Sequence, residues 1–83
     1  MKQADDHTYT LILTVHNNPG VLVRCAQVFN RRGHNIEALH VKSNSIDTSR
    51  MTITAFGKPE TIHQIILQLK KLIDVIEIVM EVK

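Results

Sequence analysis

The chain has 83 residues and a formal net charge of +2, which is too small to predict a nucleic-acid or membrane partner. A domain of this length buries about 60–65% of its unfolded surface, which favours one thin core and association over a deep enzyme cleft. The apolar runs are shorter than a membrane span, and no signal peptide is visible. Cys25 is the single cysteine, so an intrachain disulfide is excluded. We expect a soluble, cytoplasmic protein.

The N-terminal third predicts a strand, a turn and a helix. Residues 1–7 are polar and predict a flexible terminus, so the single folded domain is expected to span residues 8–83. Apolar and polar residues alternate over 8–15, which predicts a strand with one core face. In the turn that follows, Asn18 is the predicted helix N-cap and Pro19 the first helical residue. Gly20 would let a ligand approach the backbone of this helix start, which attracts carboxylates.

Helical spacing of apolar residues runs over 21–32 and stops at Gly33, a typical C′ residue. Leu22, Cys25, Ala26 and Phe29 follow core spacing. A second apolar line makes the stripe wider than one sheet face needs, so we predict that this helix also meets another chain. The second line consists of Val21, Cys25 and Val28.

The rest of the chain predicts a strand, a polar hairpin loop around Ile46, a strand, a helix and a last strand. The strands are predicted over residues 35–42, 50–56 and 75–82, and in the last one Ile76, Ile78, Met80 and Val82 share a face. Pro59 and Glu60 suit the first turn of the second helix. Its apolar stripe is predicted to consist of Ile62, Ile65, Ile66, Leu69, Leu72 and Ile73.

The resulting order is β-α-β-β-α-β. With right-handed crossovers it predicts an α+β, ferredoxin-like domain. Its four-stranded antiparallel sheet has the order 2-3-1-4, and both helices cover one face. This fold supports many functions, so the fold alone does not decide between them.

Three chemical functions are disfavoured by the residues. The five histidines (His7, His16, His34, His40 and His63) are scattered or lack a carboxylate partner, so no metal site is predicted. Nucleic-acid binding would need stacking aromatics and a basic sheet face, and the strands carry only Tyr9 and Phe56. Cys25 lies in a helix stripe without a fixed histidine, which is typical of a core residue. No cofactor or catalytic residue is predicted.

Four stretches carry a resemblance to a known family. They are 13–22, containing Asn-Asn-Pro-Gly; 28–39, containing Arg-Arg-Gly-His-Asn-Ile-Glu; 49–53; and 68–75, with Gln-Leu-x-Lys-Leu-x-Asp-Val. With this element order, the chain resembles an ACT domain, and more narrowly the small regulatory subunit of acetolactate synthase (acetohydroxyacid synthase). Many such subunits continue into a second domain, so the chain has the length of a short form or an isolated domain. The family often has a small polar residue where this chain has Val23.

The resemblance implies a dimer that joins two sheets edge to edge and binds a branched-chain amino acid, valine first, at its interface. By position it assigns effector contacts to Asn17, Pro19, Gly20, Val21, Leu22, Asn35 and Ile36. We expect a homodimer formed by the second strands and first helices. Its predicted interface residues are Val21, Cys25, Val28, Ala38 and His40.

The function implied by the resemblance is a non-enzymatic subunit. It would bind and activate a thiamine-diphosphate-dependent acetolactate synthase, with feedback inhibition by valine as a further expectation. Two alternatives stay open: an ACT module that senses an amino acid for another enzyme or a transcriptional regulator, and an interaction domain without an effector.

Overall fold

The computed structural model describes residues 6–82. In chain order the elements are β1 (His7–His16), α1 (Val21–Arg31), β2 (Ala38–Ser43), β3 (Thr48–Gly57), α2 (Pro59–Lys70) and β4 (Val75–Val82). The sheet is antiparallel with the order β2-β3-β1-β4, which confirms the predicted fold. Residues 1–5 of the predicted flexible terminus lie outside the described residues. His7, which was assigned to that terminus, belongs to β1.

The core lies between one face of the sheet and the two helices. Strand alternation creates it, because every second residue of β1 and β3 points to the helices. The core side chains are Tyr9, Leu11, Leu13 and Val15 of β1, Met51, Ile53 and Ala55 of β3, Val21, Cys25, Val28 and Phe29 of α1, and Ile62, Ile65 and Leu69 of α2. The single core face predicted for the first strand is confirmed.

The N-terminus of α1 differs from the prediction. Gly20, not Asn18, is the N-cap, and the helix begins at Val21 instead of Pro19. The Val21 N–H donates to the Asn18 carbonyl at 3.3 Å, and Gly20 has φ 82° and ψ −4°. Pro followed by Gly at positive φ is typical of a type II turn, and this turn delays the helix by two residues.

Helix α1 ends at Arg31, and Gly33 is its C′ residue, as predicted, with φ 63°. The Gly33 N–H donates to the Asn30 carbonyl at 3.0 Å, and the His34 N–H donates to the Phe29 carbonyl at 3.0 Å. These two bonds form a Schellman motif, and the His34 and Phe29 rings, 6.3 Å apart, make its usual side-chain contact. Gly33 is required here because L residues with side chains rarely adopt this φ.

Three apolar residues expected to face another chain are buried in their own subunit. Val21 is 7%, Cys25 0% and Val28 6% exposed. The inference that the second line faces another chain is therefore wrong, because α1 buries that line together with Phe29, while Leu22, predicted at core spacing, is 40% exposed. A change such as Val28→Glu would bury a charge inside the subunit and would test folding, not association. The exposed apolar residues of α1 are Leu22 and Val23.

Strand β2 is the edge of the sheet, and all six of its residues are exposed. It begins at Ala38, three residues later than predicted, although the Glu37 N–H already donates to the Thr54 carbonyl at 2.8 Å. Leu39 and Val41 pair with inward-facing residues of β3 and lie on the helix side, yet they are 43% and 46% exposed. The edge therefore presents apolar side chains beside a free backbone ladder.

Two isoleucines near the C-terminus are not where the periodicity places them. Helix α2 ends at Lys70, so Ile73 leaves the predicted stripe and is 91% exposed in the loop to β4. In β4, Val75 pairs with Val15 and Glu77 with Thr14, which leaves Ile76 as the extra residue of a bulge. Ile76 is consequently 51% exposed, while Ile78 packs against the core.

Candidate functional site

The turn between β1 and α1, residues 17–20, is held from both sides by loops at the same end of the sheet. The His16 N–H donates to the Asp74 carbonyl at 2.7 Å, and the Asn17 N–H donates to the Asp47 carbonyl at 2.8 Å. Asp74 lies between α2 and β4, and Asp47 lies in the β2–β3 hairpin. We call this turn the first turn, and these bonds fix its position relative to both neighbouring strands.

The carboxylate of Asp74 connects the loop before β4 to the first turn and to α1. The Asn18 amide donates to its Oδ1 at 2.7 Å, and Arg24 forms an ion pair with its Oδ2. The Asn18 amide, and with it the Arg24 guanidinium and His16, hold the pKa of Asp74 below its ordinary value against the opposing effect of burial. Asp74 is only 5% exposed, and its lowered pKa keeps the carboxylate ionised and tied to the first turn.

Asn17 has one side-chain atom engaged inside the subunit. Its Oδ1 accepts a hydrogen bond from the Ser49 hydroxyl at 3.0 Å, and Ser49 is 7% exposed. This bond orients the Asn17 amide so that its NH₂ group carries the remaining donors. The exposed Asn17 side chain is thereby suited to donate to a carboxylate.

Gly20 lies under the side chain of Arg24. A Cβ added at Gly20 would stand 3.1 Å from Nη1 of Arg24, and its φ of 82° disfavours any other residue. The Arg24 N–H donates to the Gly20 carbonyl at 3.0 Å, which makes the first helical bond of α1. The first N–H groups of an α-helix have no acceptor within the helix, so partial positive charge collects at the start of α1, where the Val21 N–H is already bonded to Asn18.

The seven effector residues predicted from the resemblance do not come together in one chain. Asn17, Pro19, Gly20 and Leu22 are exposed at the first turn, while Val21 is buried beneath it. Asn35 and Ile36 follow α1 at the opposite end of the sheet. They lie close to Ala38 of β2, which pairs with Thr54 of β3, and Thr54 in turn pairs with Thr10 of β1. Thr10 is six residues before His16 in β1, so about 20 Å separates the two groups.

The predicted interface residues are also divided. Ala38 and His40 lie exposed on the edge strand β2, paired with Thr54 and Thr52 on the sheet face away from the helices. The three members on α1 are inside the core, as described above. Burial also raises the pKa of the Cys25 thiol, which opposes its ionisation.

Two cavities among the described residues lie away from the first turn. A groove of about 550 Å³ runs between the helices and is lined by Arg31, Arg32 and Gln64 among others. An apolar cleft of about 310 Å³ lies between α2 and β4.

Within residues 6–82 no three His, Cys, Asp or Glu side chains come together to hold a metal ion. No helix in that range is long and apolar enough to cross a bilayer.

Comparison with known proteins assigns the family. Residues 11–77 match the family model described as "AHAS small subunit-like ACT domain". The chain belongs to this family. It is 49% identical over 73 residues to the acetolactate synthase small subunit of Mycobacterium bovis, covering 87% of this chain and 44% of that protein. The chain thus spans less than half the length of this relative.

Solved structures agree with this assignment. The acetolactate synthase small subunit of Thermotoga maritima superimposes with a TM-score of 0.74 at 36% identity, covering 89% of this chain and 45% of that one. The ACT domain of GTP pyrophosphokinase from Chlorobium tepidum gives a TM-score of 0.78 at 13% identity, covering 92% and 99%. At that identity the second likeness shows the fold alone.

Three residues around the first turn of this ACT domain were missed by sequence reasoning: Arg24, Ser49 and Asp74. Ser49 had a readable signal, because it lies two residues before Met51 on the inward face of β3, and a buried polar side chain needs a partner. Asp74 interrupts the apolar run from Leu72 to Val75, a pattern that is typical of a helix end but indicates no contact. Its partner Asn18 is 56 residues away in sequence, and no local pattern predicts that distance.

The Asp74 contacts lead to a prediction about pH. The pKa of folded Asp74 is lowered, so its contribution to stability is fully present above about pH 4, the ordinary range of an aspartate, and is lost as pH falls through the folded pKa. Asp74→Asn should lower the unfolding midpoint temperature at pH 7. The difference from the unchanged protein should shrink below pH 4.

Thermal unfolding of both proteins between pH 2.5 and pH 8 measures this effect. Asp47→Asn serves as the control, because Asp47 contacts the first turn through its backbone carbonyl. A constant difference between Asp74→Asn and the unchanged protein across this range would contradict the assigned role of the carboxylate.

Proposed function

We propose that this chain is a regulatory subunit of acetolactate synthase, acting in the cytoplasm in branched-chain amino-acid biosynthesis. It would bind a thiamine-diphosphate-dependent catalytic subunit and raise its activity. The observation that carries the proposal is the 49% identity to an acetolactate synthase small subunit over 87% of the chain. The family match over residues 11–77 supports it, since that range includes both the first turn and Asp74.

Activation in this proposal works through differential binding. A subunit without a catalytic centre shifts its partner only if it binds the active conformation more tightly than the resting one. The ACT domain suits this role because its core is closed and its first turn is fixed by hydrogen bonds on both sides. Such a rigid body favours whichever partner conformation fits it.

Titration of the chain into its purified catalytic subunit tests the proposal. Acetolactate formation should rise with added chain and saturate at a fixed stoichiometry. A titration that leaves the rate unchanged, with no binding in parallel calorimetry, would reject the function proposed here. The family assignment would not be affected.

The proposal includes a homodimer in which two β2 strands pair antiparallel. Edge strand β2 has free backbone groups and the exposed side chains of Leu39 and Val41, which a second copy would cover. Antiparallel pairing reverses the second strand. It therefore carries Asn35 and Ile36 of one copy to the end of the sheet where the first turn of the other copy lies.

This dimer predicts a specific sensitivity in β2. Val41→Glu should shift the protein towards monomer in sedimentation at micromolar concentration, because two like charges would meet at the paired edge. Val82→Glu is the matched control, because Val82 is a 53% exposed valine near the end of the other edge strand, β4. If the unchanged protein sediments as a monomer, the proposed dimer is wrong.

The proposed effector site lies where these two copies meet. In one copy, the Asn17 amide and the N–H groups at the start of α1 would bind the carboxylate of a branched-chain amino acid. Leu22 of the same copy and Ile36 of the second copy would contact the amino acid's side chain. Feedback inhibition by valine would then follow from linkage. An effector that stabilises a dimer geometry less suited to the catalytic subunit weakens that contact, and the catalytic subunit weakens effector binding in return.

Calorimetry with valine, leucine and isoleucine tests the effector site. Asn17→Ala should weaken binding by about 1–3 kcal/mol, through loss of a hydrogen bond to a charged group. Gly20→Asp should abolish binding, because a carboxylate would occupy the place of the ligand's own. Gln64→Ala removes an exposed amide from α2 and should bind normally. Absence of heat from the unchanged dimer with all three amino acids would contradict an effector role.

A further inference from the structure

Two isoleucines stand out at the end of the sheet that carries the first turn. Ile46 and Ile73 are each 91% exposed, more than any other large hydrophobic residue described. Each directly precedes an aspartate whose carbonyl accepts a hydrogen bond from the end of β1, Asp47 from Asn17 and Asp74 from His16. They flank β1 on its two sides, so about two strand spacings, or 10 Å, separate their loops. We call residues 16–20, 46–47 and 73–74 together the tip surface.

Both isoleucines are carried by fixed turns. In the hairpin, the hydroxyl oxygen of Ser45 accepts hydrogen bonds from the N–H groups of Asp47 at 3.3 Å and Thr48 at 3.2 Å. In the other loop, the Val75 N–H donates to the Leu72 carbonyl at 3.1 Å, while Asp74 is held by Asn18 and Arg24. Because the backbone of both loops is already fixed, the isoleucines lose little backbone freedom on binding, which favours their use as contacts.

Exposed isoleucines scattered singly need no explanation, but these two project on either side of one rigid turn. The charged residues around them are mostly basic. Lys42, Arg50, Lys70 and Lys71 are exposed near this end, against the exposed acids Asp47 and Glu77. Arg24 and Asp74 neutralise each other. The surface therefore matches a partner with an apolar patch and an acidic rim.

We propose that the tip surface is where this subunit binds the catalytic subunit of acetolactate synthase, through an apolar patch with an acidic rim on that larger chain. The inference rests on the function proposed above and names the contact surface. Edge strand β2 is assigned to the second copy, and the tip surface is where both of the most exposed isoleucines lie beside the first turn. At the tip surface, the effector and the catalytic subunit would contact the same short segment, residues 16–20, so binding of one alters the other directly.

The test measures the affinity of the purified catalytic subunit for three variants of this chain, by biolayer interferometry. Ile46→Asp and Ile73→Asp should each weaken binding about tenfold or more, as expected for central apolar contacts. Val82→Asp is the matched control, because Val82 is also an exposed aliphatic residue but lies at the other end of β4. It should bind within about twofold of the unchanged chain.

The possible outcomes separate a wrong contact surface from a wrong function. Circular dichroism and sedimentation should show all three variants folded and in the same oligomeric state, as expected for substitutions at exposed positions. If the unchanged chain binds and both tip variants bind equally well, the tip surface is not the contact. Weakening by Val82→Asp alone would instead place the partner at the cleft between α2 and β4. If the unchanged chain does not bind at all, the proposed function fails and the inference fails with it.

Discussion

The direction of the chain through the sheet is the constraint on which the proposed regulation depends. Strands β1 and β2 run in the same direction, since each is antiparallel to β3 between them. Helix α1 must therefore return the chain along the full sheet, so the first turn and Asn35 lie at opposite ends. One subunit cannot bring them together, whereas a second subunit paired antiparallel along β2 can. The effector site proposed here is thus a property of the dimer.

The proposed effector site also requires the first turn to hold its shape. Gly20 at φ 82° shapes it, and Asp74 fixes it through Asn18, Arg24 and the His16 amide. Asp74 directly follows the exposed Ile73, so a displacement of the first turn that moved Asp74 would also move an exposed side chain. In the proposed regulation, this short path would link an amino acid at the turn to a partner at the tip surface without a rearrangement of the core.

Much of this architecture is predictable from local patterns, because β1, β3 and α2 bury one regular face each. The errors have physical causes. A type II turn at Pro19 and Gly20 competes with the helix start, and a bulge at Ile76 interrupts the alternation of β4. The depth at which α1 packs determines whether Val28 faces the core or another chain, and periodicity does not contain that depth. The contacts of Asp74 join distant parts of the chain, and only the folded structure brings them together.

A site shared by two subunits can be tested by complementation. Gly20→Asp chains lack a usable turn, and Asn35→Ala chains lack the residue supplied to the neighbour's turn, so each homodimer should bind valine poorly. Mixing the two under exchange conditions forms heterodimers with one doubly altered site and one intact site. Calorimetry of the purified heterodimer should recover one valine site per dimer, half the number of the unchanged protein. A heterodimer that binds no better than either parent would contradict the shared site.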